Sequence, residues 1–167
     1  MPAARPRRLG LHLGLLQFGH LMAVQRSISA AALTYALVLG AWLIGSLIGL
    51  WLPGRERLLV VVGLVAHLAA HAWLLASPFA SPAALPLLLP AVGLGALVGG
   101  GFFARVLPTE PRTGPIFAAE NDGFLAGMLL AVLGYAFLGR WFSLLIPLVS
   151  AAVLLAPPRR EPHSPRA

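Results

Sequence analysis

The sequence predicts an all-α fold, a polytopic membrane bundle of about six transmembrane helices with both termini cytoplasmic. Three observations carry this. Of 167 residues, 59% are hydrophobic and only 10% are charged, where a soluble domain carries about 25% charged residues. The mean hydropathy is +0.86, which excludes a water-soluble globule and, with so little charge, intrinsic disorder. The charges that do occur stand in small groups between long apolar runs.

The apolar stretches fall at 9–25, 28–52, 58–76, 85–104, 116–138 and 141–156. The first follows Arg5, Arg7 and Arg8, a pattern that secretory signals share. Ala23-Val24-Gln25 is a poor cleavage site, however, and Gln25-Arg26-Ser27 reads as a tight link between two retained helices. Pro53-Gly54-Arg55-Glu56-Arg57 ends the second stretch, and Ser77-Pro78 with Ser81-Pro82 ends the third. The fourth runs into the longest internal loop, Leu107-Pro108 through Gly114-Pro115. Gly139-Arg140 is a two-residue hinge between the fifth and Trp141. Proline lacks the backbone donor and glycine frees the backbone, so both favour breaks there. The four middle stretches reach the roughly 17–25 residues a spanning helix needs; the first and last are short. Pro90 and Pro147 fall inside helices, where proline kinks the axis. The chain thus divides into a basic N-terminus at 1–8, a bundle at 9–156 and a disordered, proline-rich tail at 157–167. No short-period repeat is visible.

Orientation follows from the arginines, which supply all the cations. With the N-terminus inside and six crossings, only Arg26 and Arg140 lie outside and the other ten lie inside. That is the positive-inside pattern. Removing the first crossing turns the N-terminal arginines against the rest. The expected location is a bacterial inner (plasma) membrane, multi-pass, with the lipid bilayer as the main partner. Nucleic acid is not expected, because the arginines form no dense patch. The absence of cysteine excludes disulfides, thiolate nucleophiles and Cys-ligated metals.

Small residues spaced by four are the densest signal. Gly45 and Gly49, Gly95 and Gly99, and Gly123 and Gly127 each share a helix face, where missing side chains let backbones approach. This predicts helix packing, or a moving interface. Glu120, Asn121 and Asp122 fall about one turn inside the fifth helix. An acid there is favoured by the helix dipole at headgroup level. The alternatives are a proton or cation site, or pairing with Arg105 or Arg112. These three are the transport candidates, with Glu120 expected on the packed face beside Gly123. His20 and His71 fall at similar depths on the first and third helices, so two imidazoles could ligate a haem b iron axially. The milder reading is hydrogen bonding of neutral imidazoles between helices. Neither a metal-ligand cluster, a Ser-His-Asp constellation nor a nucleotide loop is visible, so no catalytic residue is assigned.

Two segments resemble the transmembrane region of membrane-bound spermidine/spermine synthase-like proteins. One is Val38-Leu39-Gly40-Ala41-Trp42-Leu43-Ile44-Gly45-Ser46-Leu47-Ile48-Gly49, followed by an arginine-containing turn. The other is Ile116-Phe117-Ala118-Ala119-Glu120-Asn121-Asp122-Gly123-Phe124-Leu125-Ala126-Gly127. The likeness covers roughly 9–156; related glycine patterns occur in major-facilitator transporters. It implies the bundle but not the activity, since the family's Rossmann-like aminopropyltransferase domain is missing. Leu13 and Phe18 stand where the family's first helix carries an acid and a base, and Asn121 and Asp122 where it is apolar. The sequence-level expectation is a non-catalytic module: a small-solute or ion transporter, or a membrane anchor or subunit, with a homodimer or a partner subunit fitting its size. The alternatives are a haem-b redox subunit and an anchor for a separately encoded aminopropyltransferase.

Overall fold

A computed structural model describes residues 4–28, 32–77 and 84–156. Those residues form six helices and no strand: α1 (Ala4–Ser27), α2 (Ala32–Gly49), α3 (Glu56–Ala76), α4 (Leu85–Val106), α5 (Gly114–Leu138) and α6 (Arg140–Leu155). The all-helical class and the helix order match the sequence reading, with a difference at the start: α1 begins at Ala4, so the helix takes in Arg5, Arg7 and Arg8 of the basic segment. The helix also runs through the Gln25-Arg26-Ser27 link. The tail at 157–167, with His163, lies outside the described residues, as do 29–31 and 78–83.

Helices α2 to α5 are each long and apolar enough to cross a membrane. Helix α6 is apolar but has 16 residues. Helix α1 has 24 residues and a more polar composition, yet it is as enclosed as α4. Leu9, His12, Leu16, His20 and Val24 are all essentially buried. A helix surrounded by protein on most sides does not need an apolar surface for lipid. The outer helices supply that surface, with Leu33, Ile44 and Leu47 on α2 and Leu133 and Phe137 on α5 exposed. Such apolar exposure on a soluble chain would be a liability; on a membrane chain it is the lipid contact.

Two close crossings organise the bundle. On α1 and α5, a Cβ at Gly14 would overlap the Phe124 carbonyl, and one at Gly127 would overlap the Leu11 carbonyl. On α2 and α4, a Cβ at Gly100 would overlap the Ser46 carbonyl, and one at Gly49 the Leu97 carbonyl. Residue numbers rise together across both crossings, so each pair runs parallel. Backbone approach of this kind is how membrane helices associate without a hydrophobic drive between them.

The two crossings are copies of one another. Gly14 faces Phe124, Gly127 and Met128; Gly100 faces Ser46, Gly49 and Leu50. Gly123 faces Arg7 as Gly45 faces Gly93, and Gly127 faces Leu11 and Leu15 as Gly49 faces Leu97 and Gly101. A constant shift therefore carries α1 onto α4, and another carries α2 onto α5. Helices α3 and α6 complete the pattern: α3 packs on α4 as α6 packs on α1. Each repeat holds three helices, an odd number, so successive repeats run in opposite directions. Leu13 and Gly99 are equivalent positions and touch each other, a Cβ at Gly99 lying 3.2 Å from Leu13 Cδ1. The pseudo-two-fold axis passes between them.

Ion pairs gather at one end of the bundle. Glu56, in the first turn of α3, binds Arg5 of α1 and Arg105 in the last turn of α4. Arg7 reaches Asp122 of α5 at 3.1 Å. This end carries the starts of α1, α3 and α5 and the finish of α4, so helices that follow one another in the chain alternate in direction.

Candidate functional site

A cavity of about 260 Å³ lies between α2 and α5, floored by α1 and α4. It exists because α2 and α5 do not pack on each other; each packs on its own partner, α4 or α1. The lining pairs residues that the internal repeat makes equivalent: Leu13 with Gly99, Trp42 with Glu120, and Ser46 with Phe124. The cavity therefore sits on the pseudo-two-fold axis, at the interface of the repeats. It opens sideways past Leu43 and Leu47, both exposed.

Glu120 is the one ionisable side chain in this lining. It is 9% exposed and six residues into α5, about 9 Å along the axis at 1.5 Å per residue. Its helix position is dictated by Gly123 and Gly127. Those glycines must face α1, and Glu120 lies one turn earlier on the same face. Among the described residues no basic side chain pairs with it. Arg105, one of its expected partners, binds Glu56 instead, and Arg112 is exposed in the loop before α5. Trp42 is buried and forms the opposite wall.

Asn121 and Asp122 do not join Glu120. Both are exposed, because a helix turns about 100° per residue and only one of three consecutive side chains can face α1. Asp122 forms the rim pair with Arg7, with both side chains more than half exposed. The glycines make close contacts between helices. Gly45, Gly49, Gly123 and Gly127 lie in the crossings, Gly99 packs on Leu13, and Gly95 packs on Leu16 and Gly63. Gly10, Gly14 and Gly100 make equally close approaches, and Gly93 a looser one at 3.2 Å from the Ala41 carbonyl. Gly10 and Gly14 have the same four-residue spacing, which was the available signal.

A second polar feature lies toward the other end. His20 of α1 meets both His67 and His71 of α3, and all three are buried. Their ring centroids stand 4.0–5.6 Å apart. The sequence reading saw no metal-ligand cluster, because the third member, His67, is brought to His20 only by the packing of α1 against α3. The fourth buried imidazole, His12, is a structural group: its Nδ1–H donates to Ser150 Oγ at 2.8 Å, which itself donates to the Pro147 carbonyl at 3.1 Å.

Haem does not fit between His20 and His71. A porphyrin needs a flat slot with one imidazole on each side. Here the two rings are 5.6 Å apart and inclined at 49°, and the His67 ring packs against both. His67 Nδ1 and His20 Nε2 are in hydrogen-bond contact at 3.2 Å.

No family model matches the chain, and no curated protein or solved structure matches it either.

Proposed function

We propose that this chain is a non-enzymatic membrane module of the transporter kind, moving a small cation or cationic solute through the groove between its repeats. The observation that carries this is the place of Glu120: one unpaired carboxylate in a mostly apolar cavity on the axis of an inverted repeat. An ionisable group at membrane depth is expensive and marks ion or substrate paths. Binding at the interface of inverted repeats is the common design of secondary transporters. The inner membrane, with both termini cytoplasmic, is the location that the arginine distribution supports. The likeness of 38–49 and 116–127 to the spermidine synthase-like membrane region is compatible with this reading. It also keeps the anchor or subunit role as the second one, in which a separate enzyme would sit on the Arg-rich face.

The test is ion flux in proteoliposomes. Vesicles loaded with a pH-sensitive dye and energised by a potassium diffusion potential should acidify faster with the wild-type chain than without it. Glu120→Gln should return the rate to that of empty vesicles, while Asp122→Asn, at the rim, should leave it unchanged. Equal acidification by wild type and Glu120→Gln would remove the carboxylate from the mechanism.

A further inference from the structure

We propose that His20, His67 and His71 form a binding site for one monovalent copper ion. The site is separate from the groove and does not rest on the transport reading. One ligand nitrogen from each of the three lies within 4.8 Å of the others. Three nitrogens around one ion at about 2 Å stand roughly 3.5 Å apart. Small rotations of the imidazoles therefore close the set without moving a helix.

The hydrogen bonds orient the lone pairs. A carbonyl only accepts, so His67 Nε2–H donates to the Ser143 carbonyl at 3.0 Å, which leaves Nδ1 bare. His71 Nδ1–H likewise donates to the His67 carbonyl at 3.1 Å. His71 Nε2 is then bare, and it is buried with no hydrogen-bond partner. Metal-bound histidines characteristically donate their other ring N–H to a carbonyl or carboxylate, and two of the three are already held this way. His20 Nε2–H donates to His67 Nδ1 in the empty site, and His20 Nδ1 has no hydrogen-bond partner. Loading the ion needs only the other neutral tautomer of His20, with its proton on Nδ1 and Nε2 bare. No proton leaves the protein and no electron moves.

The donor set selects the ion. Imidazole suits copper, zinc, iron and nickel, whereas magnesium and calcium need oxygen donors. The set supplies no negative charge, and the solvation cost of burying an ion grows with the square of its charge. A monovalent ion is therefore favoured over a divalent one. Three-coordinate binding also suits Cu⁺, whereas zinc with three protein ligands keeps a fourth position for water.

The experiment is metal retention by the purified full chain in detergent. Protein is loaded with Cu⁺ under ascorbate, desalted against a Cu⁺ chelator, and its metal counted by mass spectrometry. In parallel, its thermal unfolding is followed with and without Cu⁺. Wild type and His12→Gln should keep one copper per chain and melt higher with it. His71→Leu and His20→Gln should bind at least tenfold more weakly and show no shift in melting. Having two variants on different helices guards against one that does not fold. Retention of copper by both variants, or no copper on the wild type, overturns the proposal. Stoichiometric zinc in preference to Cu⁺ overturns the choice of ion.

Discussion

Replacing Gly100 by alanine tests the glycine crossings and the repeat together. The new Cβ would overlap the Ser46 carbonyl and press on Leu50 N. Both are helix backbone and cannot swing aside, so α2 and α4 must separate by roughly 1 Å. A gap of 0.5–1 Å forfeits a quarter to a half of each contact energy, and each contact is worth about 0.1–0.2 kcal/mol. Over some 40 atom contacts along the crossing, on the order of those one buried leucine makes, the loss is about 2–3 kcal/mol. Alanine returns about 1 kcal/mol of helix propensity, leaving a net destabilisation of about 1–2 kcal/mol. Gly14→Ala, the equivalent position against Phe124 and Met128, should cost the same. The double variant should approach the sum, because the crossings share no partner residue. Gly40→Ala, where a Cβ meets nothing within 4 Å, should be neutral or stabilising. The assay is reversible unfolding in mixed micelles, followed by tryptophan fluorescence. A Gly100→Ala chain as stable as Gly40→Ala would refute the backbone crossing. A large difference between Gly100→Ala and Gly14→Ala would refute the equivalence of the repeats.

Glu56→Gln should weaken the junction of α1, α3 and α4 by about 1–2 kcal/mol, since Glu56 is mostly shielded while both arginines are partly exposed and screened; the difference from wild type should shrink in 1 M salt, which the same unfolding assay measures at two ionic strengths. The absence of cysteine makes topology directly testable: Arg57→Cys and Arg140→Cys should react with a membrane-impermeant maleimide from opposite faces of oriented vesicles, and labelling of both from one face would contradict six crossings.

The helices were legible because apolar runs and Pro/Gly breaks are local signals. Leu85–Val106 begins where Ser81-Pro82 ends the preceding stretch, and the break at Gly139 falls where it was placed, with a positive φ of 63°. The role of α1 was not legible from hydropathy. Its polar residues look like a weak span until the fold surrounds them with protein. Glu120 was singled out, but its separation from Asn121 and Asp122 depends on which face Gly123 turns toward α1. The repeat was hidden because what it conserves is backbone contact: Trp42 and Glu120 are equivalent positions with nothing chemical in common. The imidazole cluster was half seen. His20 and His71 were paired by depth, whereas His67, one turn from His71, needed the α1–α3 packing to declare itself.

The mismatch between Trp42 and Glu120 has a consequence for electroneutrality. Had both repeats kept the acid, two carboxylates would face each other across the axis. With tryptophan on one side, the cavity supplies one countercharge. A proton or a monovalent cation seated there leaves the site neutral, whereas a divalent ion leaves an uncompensated positive charge in apolar surroundings. On the proposed transport reading, each cycle would carry one compensated positive charge, and Trp42→Glu is the substitution that would change that stoichiometry.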